Sequence, residues 1–303
     1  MKIIFMGTPG FAVPSLKILL DNKYDVQAVV TVPDKKKGRG LKTSFSEVKN
    51  FALAKNLKIL QPDSLKDENF IKEIKTFSPG LIIVVAFRIL PEEVFTIPEF
   101  GSINLHGSLL PKYRGAAPVN RAIMNGDTET GVTTFFLKNK VDTGNIILQS
   151  KIKIEPDDNA GIIHDKLSVV GADLVLKTVR LIEKGNVIEF SQDDSLASPA
   201  PKIHREDCKI DWDKGSSEIH NFIRGLSPYP AAFTLMDNKI VKIYSSSVTD
   251  LKSGHEPGSV IIGNKKIFVC TKDKLIEIHE LQLEGKKKIN AVDFINGLGK
   301  IDS

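Results

Sequence analysis

The polar residues between positions 104 and 142 include an amide, an imidazole and a carboxylate that suit acyl transfer. Asn104 and His106 stand one residue apart at the end of an apolar stretch, and Asp142 follows in a Val-Asp-Thr-Gly turn. A histidine moves protons near neutral pH, and an asparagine amide donates to a developing oxyanion. An aspartate can orient the histidine and stabilise its cation. These residues are the candidate catalytic group for transfer of an acyl unit to an amine.

Each of these residues also has a structural interpretation. A lone histidine is more often structural than catalytic. An aspartate before Thr-Gly is a common turn former, and an asparagine at a strand end often bonds its own backbone. The spacing of Asn104, His106 and Asp142 does not by itself show that they converge.

The first half of the chain alternates between fully apolar strands and helical periodicity. We predict strands at 2–6, 26–32 and 81–86, and helices at 14–21, 45–56 and 67–77. This alternation is typical of an α/β fold with a doubly wound, mostly parallel sheet. Ligand sites in such sheets lie beyond the carboxyl ends of the strands. Asn104 and His106 fall where such a site is expected.

The second half of the chain changes from this pattern to a series of short strands. Strands at 132–137 and 146–154 and a helix at 162–184 are followed by a polar, Pro/Ser/Ala-rich stretch that we interpret as a linker. A helix over 216–224, capped by Ser216 or Ser217, precedes five short strands typical of a small closed or half-closed barrel. We predict those strands at 232–236, 239–245, 258–262, 266–271 and 274–283. The predicted domains are therefore 1–189 and 205–303, joined by a linker at 190–204.

The composition is that of an ordinary globular protein. The 303 residues are 41% hydrophobic and 26% charged, with a formal net charge of +5 that permits an anionic partner. Cys208 and Cys270 lie far apart without metal-ligand spacing, so we expect a reducing cytoplasmic location and no metal. No apolar run reaches the length of a membrane span, and the short run after Met1-Lys2 does not suit a signal peptide.

Two lysine-rich segments and one glycine-containing turn allow more than one interpretation. The first basic segment spans 35–42, and the second is Lys286-Lys287-Lys288. Short basic runs are usually solvated surface, but together they suit a track for a nucleic acid backbone. The turn Gly7-Thr8-Pro9-Gly10 lacks the Gly-x-Gly-x-x-Gly spacing of dinucleotide sites and is not a P-loop, so we interpret it as structural or close to the acceptor substrate.

The candidate catalytic group lies within a longer pattern that resembles a known family. The run NLHGSLLP at 104–111, then YRG at 113–115 and DTG at 142–144, resembles the signature of the 10-formyltetrahydrofolate-dependent formyltransferases. The resemblance implies that Asn104, His106 and Asp142 are catalytic and that 10-formyltetrahydrofolate donates the formyl group without a metal. It further implies that the folate contacts Phe87, Arg88, Leu90, Ser108, Leu109, Leu110 and Pro111.

Further stretches resemble the family members whose acceptor is the methionine carried by initiator tRNA. These are MGTPGFAVPSL at 6–16, QPDSL at 61–65, IDW at 210–212, IRG at 223–225 and LEGKK at 283–287. The resemblance implies an OB-like second domain that binds tRNA, contact of the first basic loop with the acceptor stem, and no obligate protein partner. The implied tRNA-binding residues are Lys35, Lys36, Lys37, Arg39, Lys42, Lys286 and Lys287.

Other acceptors and another class of function remain open. The same catalytic group serves enzymes that formylate a nucleotide-linked sugar or glycinamide ribonucleotide. The glycinamide enzymes normally have a single domain, and the sugar enzymes typically lack a long basic loop such as 35–42. A non-catalytic RNA-binding protein that keeps a formyltransferase fold is the alternative outside the enzymes.

Overall fold

The computed structural model describes residues 1–37 and 42–298, and it divides the chain into two compact units. Neither unit is one continuous stretch. The first unit comprises 1–115, 131–152 and 164–200, and the second comprises 116–130, 153–163 and 201–303. Among the described residues, no helix combines the length and apolarity needed to cross a membrane.

A mostly parallel sheet forms the framework of the first unit. Its strands lie in the order β5-β2-β1-β6-β7-β8-β9, with β7 and β8 antiparallel, and β3 and β4 form a separate antiparallel pair. The strands are β1 (Lys2–Gly7), β2 (Asp25–Val30), β3 (Lys35–Lys37), β4 (Lys42–Ser44), β5 (Ile59–Leu60), β6 (Leu81–Val85), β7 (Ser102–His106), β8 (Glu129–Phe136) and β9 (Ile146–Lys153). Parallel pairing of β1 with β2 and β6, and of β6 with β7, confirms the predicted α/β fold.

Helices connect these strands, as the alternating sequence pattern predicts. The helices are α1 (Val13–Asp21), α2 (Glu47–Ala54), α3 (Glu68–Thr76), α4 (Glu92–Phe95), α5 (Pro118–Met124) and α6 (Ala160–Glu183). Ser46 caps α2 by accepting from the Lys49 amide, and Asp67 caps α3 by accepting from the Phe70 amide. The central strands β1 and β6 are buried on both faces, which explains their continuous apolar sequences.

The second unit contains an antiparallel sheet, helix α5, and two further α-helices in the described residues after position 200. The sheet order is β10-β11-β14-β13-β12, with β15 paired to β14. Its elements are α7 (Ser216–Leu226), β10 (Ala232–Met236), β11 (Lys239–Lys252), β12 (Val260–Gly263), β13 (Lys266–Cys270), β14 (Lys274–Leu283), β15 (Ile289–Asn290) and α8 (Ala291–Leu298). The fully buried side chains of Ile223 and Ile276 bring α7 and β14 into one core. This arrangement confirms that a β domain follows the α/β fold, and its strands form an antiparallel sheet. The closure of that sheet into an OB-like barrel stays a prediction.

The start of α7 differs from the sequence prediction. The residue before the helix is Gly215, so neither Ser216 nor Ser217 is the predicted side-chain cap. Asp273, which lies between β13 and β14, instead accepts from the Ser216 amide at 2.8 Å and from its hydroxyl at 3.3 Å. Hydrogen bonds to the ionised carboxylate, led by that amide, lower the pKa of Asp273 to about 2. The cap comes from a distant part of the chain and has no local sequence pattern.

Replacing Asp273 with alanine should destabilise the protein in a pH-dependent way. We expect Asp273→Ala to lower the free energy of unfolding by about 1 kcal/mol at neutral pH, the usual effect of losing a helix cap. Because the carboxyl pKa falls from 3.8 to about 2 on folding, this stabilisation is complete above about pH 4 and disappears as the pH falls through 2. Urea unfolding of the wild type and of Asp273→Ala between pH 7 and pH 2 measures this difference in the free energy of unfolding. Asp213→Ala, at an exposed position, is the control. A difference that does not change with pH would contradict this explanation.

Candidate active site

Strand β7 places Asn104 and His106 on one face of the sheet. Asn104 pairs with Val84 of β6 on one side and with Phe135 of β8 on the other, so its backbone is held on both edges. Side chains two residues apart on a strand point to the same face, which brings His106 to the same side. Asn104 is half-buried, and its side-chain amide forms no hydrogen bond with any residue that the structure describes. The amide is therefore available to a ligand.

His106 is buried, and both of its ring nitrogens face protein acceptors. Nε2 lies 2.8 Å from the carbonyl oxygen of Tyr113, and Nδ1 lies 3.7 Å from Oδ2 of Asp142. A carbonyl oxygen only accepts, so Nε2 carries a proton in this arrangement. A carboxylate facing Nδ1 stabilises the ring when it also carries a proton there. The structure thus brings His106 and Asp142 together, as their predicted roles require.

The turn between β8 and β9 holds Asp142 in place. Asp142 has a left-handed backbone conformation with φ of 54°, and its Oδ2 accepts from the Gly115 amide at 2.9 Å. Gly144 must be glycine, because a Cβ there would lie 1.5 Å from the carbonyl oxygen of Phe136. Oδ1 of Asp142 accepts no hydrogen bond from the residues described, and the side chain is 9% exposed. One carboxylate oxygen is fixed, and the other remains available.

Gln192 supports this turn, although no sequence pattern indicates it. Its Nε2 donates to the carbonyl oxygens of Asp142 and Gly144, at 2.9 and 2.8 Å. Its Oε1 accepts from Nε and Nη2 of Arg114, at 3.1 and 2.7 Å, and Arg114 also pairs with Asp194 at 2.7 Å. Gln192 and Asp142 are 50 residues apart in sequence, so only the fold reveals their relation.

The segment after Gln192 packs against the loop that follows β7. The Arg114 amide donates to the Ser198 carbonyl at 2.9 Å, and the Ala200 amide donates to the Arg114 carbonyl at 2.7 Å. The Tyr113 amide donates to the Ser198 hydroxyl at 2.9 Å. A Cβ on Gly115 would lie 2.6 Å from the Ala200 carbonyl oxygen, which explains the glycine. Part of the stretch interpreted as a linker thus supports the loop that supplies His106 and Asp142 with their partners.

The loop at 108–111 is fixed mainly through its backbone. The buried Ser108 hydroxyl donates to the Lys112 carbonyl at 2.6 Å, and Thr133 donates to the Ser108 carbonyl at 2.7 Å. Gln149 donates to the Leu110 carbonyl at 2.9 Å, and the Leu110 side chain is buried. Of the predicted folate contacts in this loop, Leu109 and Pro111 are the partly exposed ones.

The predicted folate contacts after β6 form a second loop beside the same sheet. Arg88 donates through Nη1 to the Asp63 carbonyl at 2.9 Å and through Nη2 to the Pro62 carbonyl at 2.8 Å. Its guanidinium lies 5.2 Å from the centre of the Phe87 ring, and burial lowers its pKa. Leu90 is buried, whereas Phe87 is half-buried. Arg88 therefore fastens this loop to the Gln-Pro-Asp loop, and Phe87 presents part of an apolar ring.

The predicted tRNA contacts lie in both units. Lys35 is exposed at the start of β3, whereas Arg39 lies outside the described residues, as do the side chains of Lys36, Lys37 and Lys42. Lys49 binds Asp34 at 2.6 Å, and hydrogen bonds from Lys49 and Gln61 lower the Asp34 pKa. This contact anchors the chain just before β3. In the second unit, Lys286 and Lys287 are exposed between β14 and β15.

Comparison with known proteins connects this geometry to one family. A formyl transferase family model matches residues 1–179, and a model of the formyl transferase C-terminal domain matches residues 202–299. A methionyl-tRNA formyltransferase from Flavobacterium johnsoniae is 49% identical over 303 residues, covering 98% of this chain and 96% of that protein.

Solved structures agree in fold. A sugar 3N-formyl transferase, crystallised in the presence of dTDP and 5-N-formyl-THF, aligns with a TM-score of 0.69 and 24% identity over 95% of this chain and 99% of that one. A methionyl-tRNA formyltransferase from Clostridium thermocellum aligns with a TM-score of 0.56 and 17% identity over 92% of this chain and 98% of that one. At these identities the likeness concerns the fold alone.

Replacing Gln192 should loosen the turn that carries Asp142. We expect Gln192→Ala to lower the free energy of unfolding by about 1–3 kcal/mol, because it removes one acceptor from Arg114 and the side-chain donor of two carbonyls. Hydrogen–deuterium exchange in peptides covering 138–146 should become faster, while exchange in β1 should not change. Ser191→Ala, at an exposed neighbouring position, is the control. Unchanged exchange at 138–146 would show that Gln192 does not hold the turn.

Proposed function

We propose, since the chain belongs to the formyl transferase family, that it transfers a formyl group from 10-formyltetrahydrofolate to the amino group of methionine on initiator tRNA. The observation that carries this proposal is the buried His106–Asp142 pair beside the unengaged amide of Asn104. The acceptor is supported by the similarity to a methionyl-tRNA formyltransferase along 98% of the chain. Charged tRNA is a cytoplasmic molecule, so we place the reaction in the cytoplasm.

Asn104, His106 and Asp142 have different roles in the proposed reaction. When the methionine amine attacks the formyl carbon, the carbonyl oxygen becomes an oxyanion that the Asn104 amide stabilises as a hydrogen-bond donor. In its protonated form, His106 adds positive charge that also stabilises this oxyanion. Its Nε2 bonds the Tyr113 carbonyl at 2.8 Å, so direct donation to the substrate requires exchange of that partner.

Asp142 accepts the proton that the attacking amine loses. Its Oδ2 is held by the Gly115 amide, so the unengaged Oδ1 is the oxygen that accepts this proton. The carbon–nitrogen bond to the folate then breaks, and the proton passes through water to the leaving folate nitrogen. The amine loses one proton and the folate nitrogen gains one, so the transfer is balanced without a metal.

The two loops beside Asn104 offer a place for the folate rings. Phe87, Leu109 and Pro111 contribute partly exposed apolar surface, while Leu90 and Leu110 pack beneath it. Arg88 and Ser108 are engaged with backbone carbonyls, so we assign them to shaping the pocket. This division refines the predicted folate contacts into surface residues and supporting residues.

We assign tRNA binding to basic residues of both units. Lys35, Lys36, Lys37, Arg39 and Lys42 are proposed to contact the acceptor stem, and Lys286 and Lys287 the backbone. In this proposal residues 1–189 carry the chemistry, and residues 205–303 carry tRNA binding. The basic segment at 35–42 favours tRNA over a nucleotide-linked amino sugar.

The acceptor is tested by formyl transfer to three forms of tRNA. We expect product with Met-charged initiator tRNA, and none with uncharged initiator tRNA because it lacks the amine. Met-charged elongator tRNA should react much more slowly. A radiolabelled formyl donor followed by separation of the tRNA measures transfer, with a nucleotide-linked amino sugar as a parallel acceptor. Transfer to the amino sugar but not to charged initiator tRNA would overturn the proposed acceptor.

Replacing Asp142 with asparagine tests the chemistry. We expect Asp142→Asn to lower kcat at least about a hundredfold, the effect of losing a proton acceptor, with donor binding unchanged. Single-turnover kinetics measure the rate, and calorimetry with a non-transferable folate measures donor affinity. Asp173→Asn makes the same chemical change at an exposed position on α6 and should be as active as wild type. Turnover close to wild type in Asp142→Asn would remove Asp142 from the mechanism.

A further inference from the structure

The second unit contains a cavity of about 440 Å³ that the formyl-transfer mechanism does not use. It lies between the segment 203–208, the turn before β10, and the ends of β11 and β14. Ile203, Phe233 and Leu283 contribute to its apolar wall. The volume falls within the range of small-molecule sites, which are apolar cavities with a few polar groups.

Tyr229 stands in the lining of this cavity with most of its surface exposed. Its relative exposure is 82%, the largest among the exposed large hydrophobic residues of the described chain. The turn that carries it is closed by a hydrogen bond from the Ala231 amide to the Leu226 carbonyl at 2.9 Å. An exposed aromatic ring on a fixed turn is a stacking surface for a base.

Two cations complete the lining of the cavity. Nζ of Lys242 donates a hydrogen bond to the Pro230 carbonyl at 3.3 Å, and Arg205 is exposed. Neither forms an ion pair with a residue of the described chain, although Glu284 also lines the cavity. Glu284 faces the Ile240 amide at 3.4 Å. Because Lys242 and Arg205 form no ion pair with a described residue, the cavity favours an anionic ligand.

The cysteine in the lining does not suit catalysis. Cys208 is 1% exposed, and its Sγ donates to the His204 carbonyl at 3.2 Å. Burial raises the pKa of this thiol, which keeps it in the unreactive protonated form. The cavity is therefore suited to binding.

We propose that this cavity binds an unpaired nucleotide of the tRNA substrate. The base enters the apolar cavity and stacks on Tyr229, and its phosphate pairs with Lys242 and Arg205. This combination of an aromatic surface and cations is how proteins bind single-stranded nucleotides. The exposed Lys286 and Lys287 follow Gly285 of the lining and continue the positive surface along the backbone. The inference rests on the proposed function, because it takes tRNA as the substrate.

Variants of the full-length protein test this site through the KM for charged initiator tRNA. Stacking on an aromatic ring predicts that Tyr229→Ala raises that KM about tenfold, with kcat and the KM for the folate donor unchanged. Tyr229→Phe keeps the ring and should behave as wild type. Lys242→Ala should also raise the KM for tRNA, and Lys252→Ala removes an exposed lysine from the same strand outside the cavity as control. Circular dichroism confirms that each variant is folded.

The same experiment separates this inference from the proposed function. Wild-type enzyme that does not formylate charged tRNA overturns the proposed function. Wild-type activity with an unchanged tRNA KM in both Tyr229→Ala and Lys242→Ala overturns the nucleotide site alone. Calorimetry with cytidine and adenosine monophosphates tests whether the cavity binds a free nucleotide instead of a nucleotide of the tRNA. Binding of a mononucleotide that Tyr229→Ala abolishes, together with an unchanged tRNA KM, would assign the cavity to a free nucleotide and overturn the tRNA contact.

Discussion

The position of the Asp142 carboxylate is the constraint on which the candidate site depends. Asp142 and Tyr113 both have left-handed backbones, with φ of 54° and 61°, a conformation that costs about 1–3 kcal/mol for residues other than glycine. Hydrogen bonds from Gly115 and Gln192 hold the Asp142 turn, and Tyr113 bonds Ser198 through its amide. The surrounding contacts offset this local cost, which is usual where a site must be fixed before the substrate arrives.

The parallel sheet supplies the other half of that preorganisation. Asn104 and His106 lie on a strand with β6 on one side and β8 on the other, so their backbones cannot shift without breaking the ladder. Asp142 lies in the turn between β8 and β9, two neighbouring strands of the same sheet, so all three residues are positioned by one framework. A site built on strands keeps its geometry better than one built on long loops. The loops here are held by Thr133, Gln149 and Arg88 through backbone carbonyls.

The sequence predicts the framework better than it predicts the contacts that support the site. Apolar periodicity correctly indicates the parallel strands β1, β2 and β6. The predicted strands do not include β7, which carries Asn104 and His106. Gln192 and Asp273 are different, because Gln192 binds the carbonyl of Asp142, 50 residues away, and Asp273 binds the amide of Ser216, 57 residues away. A side chain that bonds a distant carbonyl or amide needs no neighbouring residue type, so it leaves no local pattern. The stretch around Gln192 resembles a linker because its composition is polar and rich in Pro, Ser and Ala.

In the proposed mechanism, the groups that contact the reacting atoms are polar groups without a protein partner. Gln192 and Arg114 direct donors at protein acceptors. Both Nη atoms of Arg88 donate to backbone carbonyls, whereas its buried Nε has no partner among the described residues. We assign these three side chains to positioning the loops around the site. The Asn104 amide and Oδ1 of Asp142 have no such partner among the described residues, although Asp142 is buried and Asn104 is half-buried. Leaving polar groups partly buried and unpaired costs free energy that a substrate recovers when it supplies the missing hydrogen bonds. In the proposed mechanism these two groups bind the reacting atoms, and His106 stabilises the charge that develops there.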